Sequence, residues 1–296
     1  MCTNTDVTKN HAAFNFDSFV KYFEKKIQSG HPVLPNTINL TGGETTICPD
    51  LFEILSYIRN RLPQAKICLL TNGRMLSYAS FRKRILNWRN MDFIIPIHAP
   101  NASLHDTITR AAGSFKQTWN GISSLLKEKK IDQKVEVRIV LTRLNIKRAH
   151  NIIALINKKL SAVDRIVCIF PEIEGQAQDH KNKVGLSYRQ AELFLKRAKR
   201  FFVNTDRLRL YHFPICSLKP SLWPFAWRTL PQEETTFLKA CGKCLAKKYC
   251  LGIHKSYFLY KKAPEMRPIT NLGKIKIVAT ENRYHPISRI NICKKI

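Results

Sequence analysis

Six short apolar runs alternate with six amphipathic runs over the first two thirds of the chain. That alternation limits the folds open to it. The strand-like runs are Thr37–Leu40, Lys66–Thr71, Asp92–His98, Val135–Leu141, Arg165–Phe170 and Arg207–His212. Helix-like runs occupy Phe16–Gln28, Asp50–Leu62, Tyr78–Trp88, Phe115–Lys129, Arg148–Leu160 and Tyr188–Arg200. In the first of these, Phe16, Phe19, Val20, Phe23 and Ile27 recur at three-to-four spacing, which makes one apolar helix face. Strand and helix alternating in this way predict βαβ units and a parallel sheet, whose ligands bind at the C-terminal ends of the strands. The pattern breaks near Pro214, where Pro220, Pro224 and two Trp residues that read as exposed crowd the stretch Pro214–Pro231. The expected organisation is an α/β core over residues 1–212 and a small Cys-rich module over residues 213–296.

At 296 residues and 44% hydrophobic content, the chain is globular and long enough to bury a sizeable core. No apolar run approaches the roughly 18–20 residues of a membrane span, and no charged start followed by an apolar stretch marks an export signal. A cytoplasmic protein with no membrane partner is expected. Fifty Lys and Arg against 21 Asp and Glu give a net charge of +29. Such an excess suits nucleic acid or an acidic peptide. It also suits a plain solvated surface, because the charges are spread from Lys21 to Lys295, and clusters such as Lys127–Lys130 and Lys196–Arg200 fit outer helix faces.

Nine cysteines without an export signal argue against a disulfide framework. Cys68 and Cys168 sit in apolar runs and read as small buried hydrophobes; Cys48 and Cys293 read as incidental. The others cluster as Cys241-x2-Cys244-x5-Cys250, with Cys216 upstream. Thiolates gathered this closely select zinc or an iron–sulfur cluster. His254, four residues after Cys250, is a spare ligand that suits zinc.

The run Ile38–Glu44, Ile-Asn-Leu-Thr-Gly-Gly-Glu, leads a strand into a turn without side chains and presents one acid at the strand end. Glycine lets a ligand approach the backbone closely, and a carboxylate beside it suits a ligand ammonium. Glu44 also reads as an acid serving a helix N-terminus.

Leu40-Thr41-Gly42-Gly43-Glu44 before a helix resembles the second-strand motif of the radical S-adenosylmethionine (SAM) superfamily. Leu69-Leu70-Thr71-Asn72-Gly73 is similar to the end of that family's next strand. His105-Asp106-Thr107-Ile108-Thr109-Arg110, followed by Gly113-Ser114-Phe115, resembles the region after its fourth strand, and Val135-Glu136-Val137-Arg138 its fifth. The resemblance covers roughly residues 1–215. It implies a partial (β/α)6 barrel, with the first strand and most of the cluster loop missing. It implies a [4Fe–4S] cluster that chelates SAM, and one-electron cleavage to a 5′-deoxyadenosyl radical that abstracts hydrogen from a substrate. In the family, Gly42, Gly43 and Glu44 would hold the methionine ammonium, Arg110 or Arg138 its carboxylate, and Asn72 would stand near the cofactor. For these residues the plain alternatives are a turn at Asn72-Gly73 and an interior ion pair at Arg138. His98 reads as a satisfied structural histidine. The family usually shows proline where this chain has Thr45, and small polar residues where it has Pro96-Ile97-His98. The cluster loop of the family is C-x3-C-x2-C; Cys2 resembles its last cysteine, with the other two expected upstream of Met1 or lost in a decayed copy.

Phe213-Pro214-Ile215-Cys216, Leu222-Trp223-Pro224-Phe225-Ala226, the clustered thiols and Pro268-Ile269 are similar to the C-terminal region of the His-Xaa-Ser system radical SAM maturases. This narrower resemblance implies modification of a ribosomally made peptide, with a precursor peptide, an electron donor and a partner maturase as partners. It also implies an auxiliary iron–sulfur cluster on Cys216, Cys241, Cys244 and Cys250; read alone, the same thiols make a structural zinc site. Two other functions fit: a radical SAM enzyme acting on RNA, and a non-catalytic, metal-stapled homologue.

Overall fold

The computed structural model describes residues 15–28, 36–203, 205–262 and 265–292. Cys2, expected as a cluster ligand, and Cys293 lie outside them. The expected strands and helices form, with ends within three residues of those expected. The strands are β1 (Thr37–Leu40), β2 (Lys66–Leu70), β3 (Met91–Pro96), β4 (Lys134–Val140), β5 (Arg165–Ile169), β6 (Leu208–Tyr211) and β7 (Ala226–Trp227). They make one seven-stranded sheet in sequential order, parallel at every pairing. Helices α1 (Phe16–Gln28), α2 (Leu51–Arg61), α3 (Ala79–Ile85), α4 (Ala102–Thr109), α5 (Ser114–Glu128), α6 (Ala149–Lys159), α7 (Gln176–Asp179), α8 (Lys181–Val184) and α9 (Tyr188–Ala198) complete this part of the chain. The sheet curls into an open, partial barrel of α/β type.

The two faces of the sheet differ in kind. One carries Ile67, Leu69, Phe93, Ile95, Val135, Val137, Ile139, Ile166 and Leu210, all fully buried in the main core with the helices. Burial on both faces explains why these strands read as continuous apolar runs. The other face is layered. At its base Arg165 pairs with both Asp92 and Glu136, Arg138 Nε donates to Glu136 Oε1 at 2.8 Å, and Lys66 Nζ lies 3.9 Å from Asp92. Burial pushes the Glu136 carboxyl up, but the Arg138 and Arg165 guanidiniums overcome that and leave it below its ordinary 4.5. Towards the strand C-termini an apolar patch follows, Val167, Ile169 and Tyr211 with Val140 and Trp227.

Beyond residue 212 regular structure is sparse. β7 still belongs to the main sheet, so the sheet runs past the break at Pro214. After it come two short antiparallel pairs, β8 (Thr235–Thr236) with β9 (Ile253–His254) and β10 (Ile275–Ala279) with β11 (Ile287–Ile292), joined by one-turn 3-10 segments. The expectation of two exposed Trp residues is wrong. Trp223 is 2% exposed, and its indole N–H donates to the Leu218 carbonyl at 3.1 Å. Trp227 stacks on His285, with ring centroids 4.5 Å apart, and Arg209 covers it at 3.8 Å. A proline-rich turn directs these rings inward because their apolar area is the largest single contribution available to a segment with so little regular structure. Among the described residues, no helix is long and apolar enough to cross a membrane.

Candidate active site and thiol cluster

The C-terminal ends of the strands open onto a cavity of about 630 Å³, lined by Gly42, Gly43, Glu44, Thr71, Asn72, His98, Thr118 and Arg138 among others. Five of the six residues selected from sequence as SAM contacts therefore share one cavity. Gly42 has φ +152°, and a Cβ at Gly42 or Gly43 would meet nothing within 4 Å. The backbone there faces open space and adopts a conformation that favours glycine.

Glu44 is fixed from several sides. Its Oε1 accepts the Thr46 N–H at 3.1 Å and both the Thr46 and Thr71 hydroxyls. Its Oε2 accepts the Asn72 N–H at 2.6 Å. A carboxylate oxygen has two lone pairs, so Oε2 retains acceptor capacity towards the cavity. The carboxylate also caps the 3-10 turn at Thr45–Ile47, in keeping with the plain alternative. Asn72 contributes mainly through its backbone. Its Oδ1 closes a turn on the Arg74 N–H at 2.9 Å, and its carbonyl accepts the Thr118 hydroxyl of α5 at 2.8 Å.

The two arginines separate. Arg138 lines the cavity while its Nε is held by Glu136, so the interior ion pair exists and the rest of the guanidinium faces inward beside it. Arg110 is exposed, at the left-handed C-cap of α4 with φ 57°, and does not line the cavity. The motif around it has a different structural task. Asp106 accepts the N–H groups of Gly113 and Phe115 and the Ser114 hydroxyl, and so fixes the N-terminus of α5, where negative charge is favoured.

His98 departs from expectation. Its Nδ1 is buried without a hydrogen-bond partner among the described residues, and burial, reinforced by His105, pushes its pKa down to about 3. It is a neutral ring at the cavity wall. His98 and Thr71 were the residues that sequence reasoning under-used; their position at strand ends beside chosen residues was the available signal.

Cys216, Cys241, Cys244 and Cys250 line a second, mostly apolar pocket, with Ile215, Met266 and Pro268. Cys250 Sγ accepts the N–H of Ile215 and of Gly252, each at 3.4 Å; Cys244 Sγ accepts the Ile269 N–H at 3.4 Å. Burial, with the neighbouring thiols, pushes Cys216 up to about 12, and burial also raises Cys250. His254 does not serve the thiols: its Nδ1 is on Ser256, and its Nε2 faces Glu174 and Glu234. Cys68 and Cys168 are buried, 7% and 0% exposed, as small hydrophobes.

No protein-family model matches the chain. The antilisterial bacteriocin subtilosin biosynthesis protein AlbA of Bacillus subtilis (strain 168) is 30% identical over 89 residues, which is 30% of this chain and 19% of AlbA. The crystal structure of Streptococcus suis SuiB bound to precursor peptide SuiA superposes with a TM-score of 0.50 at 10% identity, over 66% of this chain and 41% of SuiB. Native anSMEcpe with bound AdoMet superposes with a TM-score of 0.51 at 14% identity, over 71% of this chain and 58% of the other. The chain thus spans less than two thirds of each relative. At 10% and 14% identity the likeness to SuiB and anSMEcpe is one of fold, a partial α/β barrel.

Proposed function

We propose that this chain is the core of a radical SAM enzyme that modifies a ribosomally made peptide, of the His-Xaa-Ser maturase type. The observation that carries the radical SAM reading is the convergence of Gly42, Gly43, Glu44, Asn72 and Arg138, drawn from three separate sequence motifs, on one cavity at the strand C-termini. The groups present suit SAM. Glu44 Oε2 accepts a methionine ammonium alongside the Asn72 N–H. The open glycine backbone admits the ligand, and the Arg138 guanidinium answers its carboxylate. When bound to a reduced [4Fe–4S] cluster, SAM supplies a 5′-deoxyadenosyl radical that abstracts hydrogen. The chain's own residues bind and orient the cofactor, and the apolar patch around Ile169 and Tyr211 keeps water from the reacting face.

The peptide substrate is supported by the likeness to AlbA, a bacteriocin biosynthesis protein, and to SuiB, bound to a precursor peptide. The narrower type rests on the C-terminal residues. Ile215 and Ile269, which carry the narrower resemblance, donate main-chain N–H groups to Cys250 and Cys244, and Pro268 lines the same pocket. We infer an auxiliary iron–sulfur cluster at Cys216, Cys241, Cys244 and Cys250, as the narrower resemblance implies, with structural zinc as the alternative. Main-chain N–H groups aimed at sulfur are also what tunes such clusters.

Anaerobic reconstitution with iron and sulfide, followed by reduction with SAM present, tests the reading. SAM binding weakened by Glu44→Ala is expected, and release of 5′-deoxyadenosine is expected once the two further cluster cysteines that the resemblance places ahead of Cys2 are supplied. SAM affinity equal in the wild type and Glu44→Ala sinks the cofactor assignment. Zinc alone at the four thiols removes the auxiliary cluster.

A further inference from the structure

A second polar constellation stands where the barrel meets the thiol-bearing module. Glu172 and Glu174 lie on the loop after β5, and His254 is in β9. Each offers one donor atom, and the three atoms all lie within 4.8 Å of one another. His254 is 4% exposed. Its Nδ1 lies 2.6 Å from the Ser256 hydroxyl, which also accepts the Ile173 N–H at 2.9 Å; the Ser256 N–H approaches the same Nδ1 at 3.1 Å. These contacts lock the ring with Nε2 aimed at carboxylates of both parts of the chain.

Among the described residues, Nε2 makes no hydrogen bond. It lies 3.7 Å from Glu174 Oε1 and 3.8 Å from Glu234 Oε2, beyond hydrogen-bond range. Donors held about 2.0–2.2 Å from a tetrahedral divalent ion stand roughly 3.4 Å apart, so a gap of this size suits groups that share a cation. Nδ1 accepts the Ser256 N–H, which leaves the ring proton on Nε2 in this structure; a metal at Nε2 would shift that proton to Nδ1, where the Ser256 hydroxyl 2.6 Å away can accept it. A second histidine supports the carboxylates from outside, with His212 Nδ1 3.1 Å from Glu172 Oε1. Metal-bound groups are commonly oriented by such outer contacts. Three glutamates gathered here, in a chain of net charge +29, repel one another unless something positive lies between them.

We propose that Glu172, Glu174 and His254, with Glu234 beside them, bind one divalent transition-metal ion of the manganese or zinc class, tying the loop after β5 to the thiol-bearing module. Imidazole with carboxylates selects such ions, whereas soft thiolates select iron–sulfur clusters and zinc. The proposal does not depend on the radical SAM reading, because neither SAM nor iron takes part in it.

Manganese separates this site from the cysteines, since thiolates are poor ligands for it. The purified full chain, with its thiol-bound metal left in place, is titrated with Mn²⁺ while the free-ion electron paramagnetic resonance signal is followed. The expected result is one saturable Mn²⁺ per chain, displaced by Zn²⁺. Affinity should fall at least about tenfold in Glu172→Gln/Glu174→Gln, in keeping with the loss of metal ligands, and stay unchanged in Cys216→Ser. The two glutamate side chains are 23% and 46% exposed, so the double variant keeps its fold, which circular dichroism checks; His254→Ala serves as a second variant. No saturable binding, or equal affinity in the glutamate variant, overturns the proposal.

Discussion

The cavity at the strand ends and the thiol pocket are built in opposite ways. At the cavity, the sheet positions everything. Glu44 is held by Thr46, Thr71 and Asn72 on two neighbouring strand ends, and its geometry needs no ligand. At the thiols, one-turn segments and two-residue strands supply the frame, and the sulfurs are met only by long N–H contacts. A neutral thiol whose pKa burial has pushed to about 12 becomes a metal ligand only when the metal displaces its proton. The first site is preorganised by its scaffold, whereas the second, on the proposed reading, is completed by the metal it would bind.

The largest effect that contrast predicts is at the thiols. If the thiols hold a metal as proposed, chelating it, or the double change Cys241→Ser/Cys244→Ser, should unfold the module after residue 212, as metal binding there would be folding free energy. Limited proteolysis should then cut within residues 228–262 while β1–β6 stay protected. Cleavage spread evenly along the chain would break the comparison. Next, Glu44→Ala should weaken SAM binding by roughly 10–100-fold, the worth of a hydrogen bond to a charged group, with an unchanged proteolytic pattern; calorimetric titration reads it. Gly121→Ala should destabilise the barrel by about 1–3 kcal/mol, as overpacking does, because a Cβ there would collide with the Gly73 carbonyl; denaturant melts measure it.

The pH response sharpens the same contrast. Glu136 titrates below its ordinary 4.5 in the folded chain, so its contribution is present above pH 4.5 and is lost as pH falls through the lower, folded value. Barrel stability, followed by denaturant melts, should therefore decline below pH 4.5, and Glu136→Gln should flatten that decline. Arg110→Ala is the smallest case. An exposed C-cap residue outside the cavity should leave SAM affinity within twofold, while Arg138→Ala lowers it; the reverse order would return the carboxylate to Arg110.

The barrel was legible because its strands are buried on both faces and its helices carry one apolar stripe, so period and run length reported both elements. Glu44 and its glycines were legible for a related reason, since a turn at a strand end must carry its own chemistry in consecutive residues. Arg110 was misplaced because spacing does not say which way a helix C-cap points. β7 escaped notice because two residues carry no period, and Trp223 and Trp227 because nothing local marks a proline-rich turn as facing inward. His254 sits four residues from Cys250 yet turns away from it, held by Ser256 and Ile173, an orientation set by residues more than 80 positions apart.

Gly121 and Gly73 meet with no side chain between them. The spacing between helix α5 and the Asn72 loop is consequently a backbone-to-backbone distance, which no rotamer change can adjust. Any drift of the helix axis is handed undamped to the residue that donates to Glu44. A designer seeking a roomier pocket would do better to work from the β4 side, because the α5 side is a rigid stop.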